Sequence, residues 1–147
     1  MAESNSEATL APEVRAFLTE GTRTGVVAWA GADGQPFAAP VWFVVEGDEL
    51  LFTTVATSAK GKAFRRDPRI ALIAQLSEPP YAFVQVRGVV ELIDDLAEVR
   101  RVATLAGARY MGAARAEEFG ARNGVPGELV VRLRPTKMVA SLDVTAS

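Results

Sequence analysis

The apolar positions of this chain fall in short, strand-length runs punctuated by turn signals. Residues 25–30 form the first such run, and the Asp33-Gly34 pair that follows is a strong hairpin signal, which predicts a second strand over residues 36–45. A further turn at Glu46-Gly47-Asp48 predicts a third strand over residues 49–54, paired antiparallel with the second, so that the three make a meander. Residues 70–76 are a near-continuous apolar run of strand length. Beyond the Pro79-Pro80 breaker, residues 81–93 alternate: Tyr81, Phe83, Gln85 and Arg87 share one face, while Ala82, Val84 and Val86 share the other. This long strand is expected to bend near Gly88. Residues 128–133 are the last clear strand, and residues 137–142 extend a sheet edge after Pro135.

Helical spacing is rarer. Pro12 at a first turn, followed by Val14, Phe17 and Leu18, predicts a short opening helix that Gly21 ends. Residues 59–66 make about two turns with Phe64 toward the core; Asp67-Pro68 stops them, because the residue before a proline is pushed away from helical dihedrals. A third segment opens at Asp94-Asp95, carries Leu96, Val99, Val102 and Ala103 on one face, and continues irregularly to Phe119 before a loop at residues 123–127. The whole predicts a mainly β protein with a few helices, a six-stranded antiparallel barrel with short hairpins. Most strands are apolar on both faces, more than a small barrel interior needs. A homodimer that buries an outer face accounts for the excess.

Length and composition narrow the functions available. A chain of 147 residues with 49% hydrophobic and 23% charged residues suits one domain, here residues 11–147 behind a flexible N-terminus of residues 1–10. There is no cysteine and no histidine, so neither a disulfide framework, a structural zinc site nor a Ser-His-Asp triad can be built. The N-terminal residues lack the basic and apolar regions of a secretory signal, and no stretch approaches the roughly 20 apolar residues that span a bilayer. The expected location is the cytoplasm, with no membrane partner. The net charge of −2 is a poor field for nucleic acid, and a barrel that binds single strands needs a broad basic groove interleaved with aromatics.

Positive charge is nonetheless concentrated. Strand residues Thr53 and Thr54 run through Ser58 into Lys60, Lys62, Arg65, Arg66 and Arg69, five cations within ten residues, among them two of the three lysines of the chain. Hydroxyls that donate directional hydrogen bonds beside cations at a strand-to-helix turn suit a phosphate. Arg66 and Arg69 read as a solvated helix end, with arginines complementing the helix dipole. Lys60 and Lys62, beside a glycine and just past the hydroxyls, read as binding groups. Thr53 and Thr54 cannot both face one ligand, because neighbours on a strand point to opposite sides. Trp29 reads as core, and Glu117 and Glu118 as solvated helix positions.

The ordered set Asp33-Gly34-Gln35-Pro36, Ala39-Pro40-Val41-Trp42-Phe43, Leu51-Phe52-Thr53-Thr54, Ser58-Ala59-Lys60 and Arg65-Arg66-Asp67-Pro68-Arg69 resembles the split β-barrel family of flavin and deazaflavin proteins. That family includes pyridoxamine 5'-phosphate oxidase and actinobacterial relatives that use coenzyme F420. The likeness runs from about Gly25 to Val139. It implies a homodimer with two cofactor sites at the interface. Carried onto this chain, Pro40, Val41 and Trp42 line the ring system, Thr53 and Thr54 reach the ribityl region, Ser58, Lys60 and Lys62 hold the phosphate with Arg65 beyond them, and Tyr81 matches an aromatic or polar position near the cofactor.

Departures from the family pattern select among its members. The strand of residues 38–43 lacks the arginine that pyridoxamine 5'-phosphate oxidases carry ahead of the phosphate site, and their C-terminal substrate-binding segment is missing. A haem with a histidine axial ligand is excluded for want of histidine. F420 carries a phospholactyl tail extended with glutamates, and the series Lys60, Lys62, Arg65 and Arg66 suits such a polyanion. The expected activity is therefore hydride transfer from reduced F420 to a conjugated small molecule. An FMN oxidase or flavin reductase of the same fold, and a non-catalytic flavin or deazaflavin carrier, are the alternatives.

Overall fold

A computed structural model describes residues 8–146 of the chain. The helix α1 (Pro12–Thr19) precedes strands β1 (Gly25–Ala30), β2 (Pro36–Val41), β3 (Val44–Glu46) and β4 (Glu49–Val55). Helix α2 (Ala59–Arg66) leads to β5 (Arg69–Leu76) and β6 (Ala82–Ile93). Helices α3 (Leu96–Met111) and α4 (Ala116–Asn123), joined by a single 3-10 turn, lead to the final strand β7 (Glu128–Ser141).

All strand pairs are antiparallel, in the order β2-β1-β5-β6-β7-β4-β3. The two edges of this sheet, β2 and β3, are separated in sequence only by Trp42 and Phe43. A sheet whose edges are two residues apart must curl round on itself, and the result is a split barrel. The strand expected over residues 36–45 is therefore two strands with different partners, and the count is seven rather than six. Residues 36–41 pair with β1, and only residues 44–46 pair with β4. The side chain of Phe43 at the break is wholly buried, and its backbone is held by the Tyr110 hydroxyl, which lies 3.2 Å from its N–H and 3.1 Å from its carbonyl.

The expected bend at Gly88 is a bulge. Gly88 faces Pro135 while Arg87 faces Lys137, so Thr136 is an extra residue on β7. A proline with no N–H is tolerated inside a sheet at such a point. The Thr136 hydroxyl donates to the Arg87 carbonyl at 3.3 Å. Beyond residue 133, β7 pairs with β6 alone, so its second half is an edge, continuous with the first half.

Inside the curl, Val27, Phe43, Leu50, Phe52, Leu72, Val84, Val86, Val131 and Leu133 form the main core, closed at one end by Val14, Phe17 and Leu18 of α1. Phe64 of α2 is inserted edge-on against Trp29 and Phe52, with ring centroids 5.8 and 6.2 Å away. Truncation of so enclosed a ring, Phe64→Ala, is expected to destabilise the fold by about 3–5 kcal/mol in urea unfolding, and a loss below about 1 kcal/mol would contradict this packing. A second cluster lies outside the curl, where Val99 and Val102 of α3 cover Val44, Leu51 and Val130. The apolar outer faces of β4 and β7 are thus covered from within the chain. Among the described residues, the outer face of β1, β5, β6 and the end of β7 has no such cover, and Val26, Val89 and Val139 are exposed there.

Of the N-terminal residues expected to be flexible, 1–7 lie outside the described residues. Ala8 donates its N–H to the Pro135 carbonyl at 2.7 Å, and buried Leu10 donates to Asp48 Oδ1 at 3.0 Å, so residues 8–10 are fastened to the barrel. No helix among the described residues is long and apolar enough to cross a membrane.

Candidate functional site

Where β4 ends and α2 begins, Thr53, Thr54, Val55, Ser58 and Lys60 line a cleft of about 360 Å³ together with Asn123 and Glu128. The local sequence explains its shape. Ser58 caps α2: its Oγ accepts the Gly61 N–H at 3.1 Å and donates to the Val55 carbonyl at 2.6 Å. Gly61 lets the helix start lie against the strand end, since a Cβ there would sit 2.5 Å from the Val55 carbonyl oxygen and 2.6 Å from that of Ala56. The N–H groups of Ala59 and Lys60 open the helix and have no intrahelical acceptor.

Charge in the cleft is sparse and poorly hydrated. Burial pushes the Lys60 ammonium below its usual pKa, with the Glu128 carboxylate partly restoring it. Burial likewise pushes the Glu128 carboxyl up, and Lys60 pulls it back. In both groups loss of hydration outweighs mutual attraction, and among the described residues Lys60 has no carboxylate within ion-pairing distance. An anion entering the cleft would meet a cation that water and protein leave undersatisfied.

The structure gathers four of the predicted residues, Thr53, Thr54, Ser58 and Lys60, and separates the rest. Thr54 is buried, 3.4 Å from Ser58 Oγ, so Thr53 is the more accessible of the two threonines. The Ser58 hydroxyl already directs its proton at the chain, and its service to a ligand is to fix the first turn of α2. Lys62 and Arg65 are exposed on α2 and do not line the cleft. Val41 is buried in the core and Pro40 is exposed on β2. Trp42 lies flat on Tyr110, centroids 5.0 Å apart at 7°, and leans on Phe119 at 6.0 Å. Tyr81 is 46% exposed at a left-handed φ of 51°, its carbonyl accepting the Val144 N–H at 2.8 Å, and it does not line this cleft either.

Sequence reasoning missed Glu128 and Asn123. Glu128 enters because it is the register partner of Val55, a pairing between segments more than 70 residues apart that no local pattern announces. Arg69, read as solvated, is exposed and held by Asp67 at 2.8 Å. That guanidinium, through hydrogen bonds first, holds the Asp67 carboxyl down to about 2. Glu118 pairs with Arg115 at 2.6 Å on the exposed side of α4.

Residues 10–140 match the family described as pyridoxamine 5'-phosphate oxidase, which is most of the chain. The chain belongs to that family. Several solved structures share the fold. A conserved hypothetical protein of Mycobacterium tuberculosis is 24% identical, with a TM-score of 0.79, over 97% of this chain and 90% of that one. An F420 reductase is 24% identical at a TM-score of 0.69, over 88% and 98% of the two chains. A FAD-binding protein of Mesorhizobium loti is 19% identical at 0.65, over 87% and 89%. No curated protein sequence matches the chain. Within the family the strand-to-helix cleft of this chain combines an ammonium, open helix N–H groups and a threonine, a donor set that fits a phosphate-bearing cofactor of the flavin type.

Proposed function

We propose that the protein is an F420-dependent reductase that passes hydride from the reduced deazaflavin to a conjugated small molecule. The observation that carries this reading is the half-buried, unpaired ammonium of Lys60 at the open first turn of α2. Lys60, the N–H groups of Ala59 and Lys60, and the Thr53 hydroxyl would hold the phosphate. Lys62, Arg65 and Arg66, exposed along the same helix, would attract the glutamate-bearing tail as a diffuse positive field. Similarity of fold to an F420 reductase supports the choice of cofactor class.

When bound, the deazaflavin supplies the hydride; this chain supplies binding, orientation and exclusion of water. Holding donor and acceptor in contact is worth about 7–11 kcal/mol toward the barrier, so the reaction needs no dedicated nucleophile. A second copy of the chain would complete the site, docking on the uncovered outer face that carries Val26 and Val139 and bringing its Tyr81 toward the cofactor.

Purified protein is expected to be colourless, to bind added F420 at micromolar concentration or better, and to consume reduced F420 when an acceptor such as a quinone, a nitroimidazole or an unsaturated ester is supplied. Protein that purifies yellow with a flavin spectrum would favour FMN. F420 binding without consumption across such acceptors would make it a carrier.

A further inference from the structure

The Lys60 cleft is lined by two charges of opposite sign. Among the described residues that form it, only Lys60 and Glu128 are ionisable, while Thr53, Thr54, Ser58 and Asn123 contribute neutral polar groups. Strand pairing fixes the place of the acid. Glu128 is the register partner of Val55, and Val130, two residues on, is the partner of Thr53, so Glu128 stands on the sheet face that carries the Thr53 side chain.

A carboxylate in such a place opposes a phosphate guest. With both groups ionised the cleft has no net charge, and each is partly withdrawn from water, where a neighbouring charge is felt with less screening. Lys62, Arg65 and Arg66 add positive charge only from the exposed side of α2, through solvent. Phosphate esters differ in the charge they bring to this balance. A phosphodiester carries a single negative charge at neutral pH, whereas a phosphomonoester, with a second pKa of about 6, carries roughly 1.5 to 2. The first charge is matched by Lys60. The second finds no further cation in the cleft, gives up its own hydration on entering, and is repelled by the Glu128 carboxylate.

We infer that Glu128 is a specificity-determining residue, which makes the cleft select a cofactor joined through a phosphodiester and reject one that ends in a phosphomonoester. The inference rests on the cleft holding a phosphate, as in the function proposed above, and it gives that function a physical reason for its cofactor. The phosphate of F420 is esterified on both sides, by the ribityl and lactyl groups. That of FMN is terminal.

Fluorescence titration of the full-length protein with FMN and with the methyl ester of its phosphate tests this, because the two ligands share one ring and differ only in ester class. At neutral pH the methyl ester is expected to bind the wild type at least about fivefold more tightly than FMN, and Glu128→Gln to bring the two within about twofold by tightening FMN the more. Glu128→Asp keeps the charge and should keep most of the preference. Should a variant misfold, the wild-type ratio remains as the test. A wild type that binds FMN as tightly as its methyl ester, a Glu128→Gln variant that shifts both affinities by one factor, or binding of neither ester would overturn the role of Glu128. F420 titrated in parallel keeps the two readings apart. Preference for the methyl ester without binding of F420 retains the role of Glu128 and discards the deazaflavin, whereas tight F420 binding without an ester preference retains the cofactor and discards the role of Glu128.

Discussion

Replacing Gly88 by alanine is expected to destabilise the protein by about 3 kcal/mol, the upper part of the range for an overpacked interior. A Cβ at this position would lie 2.0 Å from the Arg134 carbonyl oxygen, 2.8 Å from its carbon and 3.0 Å from Leu133. Two of these three atoms are backbone, in the strand hydrogen-bonded alongside, and cannot swing away as a side-chain tip would. Alanine also restricts the unfolded chain, a gain of about 0.4–1 kcal/mol that offsets only part of the clash. For a domain of this size the net loss corresponds to a fall in melting temperature of roughly 6–12 °C. Thermal unfolding followed by circular dichroism reads it directly, and a midpoint within about 2 °C of the wild type would show that β6 and β7 separate there at little expense.

Gly88 illustrates how far the fold was legible before the structure. A glycine within an otherwise alternating strand signals a bend because the signal is local, and the same holds for the alternation of Ala82, Val84 and Val86, all of which are buried. Asp67-Pro68 stopped α2 as a local steric rule requires. What failed was long-range. Nothing near Trp42 and Phe43 announces that the strand changes partner there, because residues 36–45 are apolar enough to satisfy β1 on one side of the break and β4 on the other. Nor does any local pattern announce that α3 covers Leu51 on the outer face of β4, because α3 sits there through contacts between segments some 50 residues apart. In the cofactor cleft, β4 and the start of α2 are contiguous in sequence, and so Thr53, Thr54, Ser58 and Lys60 were found together. Glu128 and Asn123 arrive from the far end of the chain and were not.

One distinction inside the site was available from helix geometry alone. Lys60 and Lys62 are two residues apart on α2, and residues so spaced do not share a helix face. The structure accordingly lines the cleft with Lys60 and leaves Lys62 exposed. Lys60→Ala is therefore expected to weaken F420 binding by at least about tenfold, the equivalent of one charge-assisted hydrogen bond to phosphate, whereas Lys62→Ala should weaken it by less than about threefold. Fluorescence titration with F420 measures both. Equal losses from the two variants would mean that only the net charge of α2 matters, and no loss from Lys60→Ala would remove the cleft from the cofactor site. Because the Lys60 charge is held partly out of water without an ion-pair partner, its removal should leave the melting temperature unchanged or slightly higher, which separates lost binding from lost folding. Glu128→Gln acts in the opposite direction: it deletes the carboxylate that competes with phosphate for Lys60, and F420 should bind more tightly. The pH dependence has a definite sign. Burial holds the Lys60 pKa below its ordinary value, so the ammonium is lost earlier as the solution becomes alkaline, and wild-type affinity should fall as pH rises through that lowered value while Lys60→Ala shows no such fall.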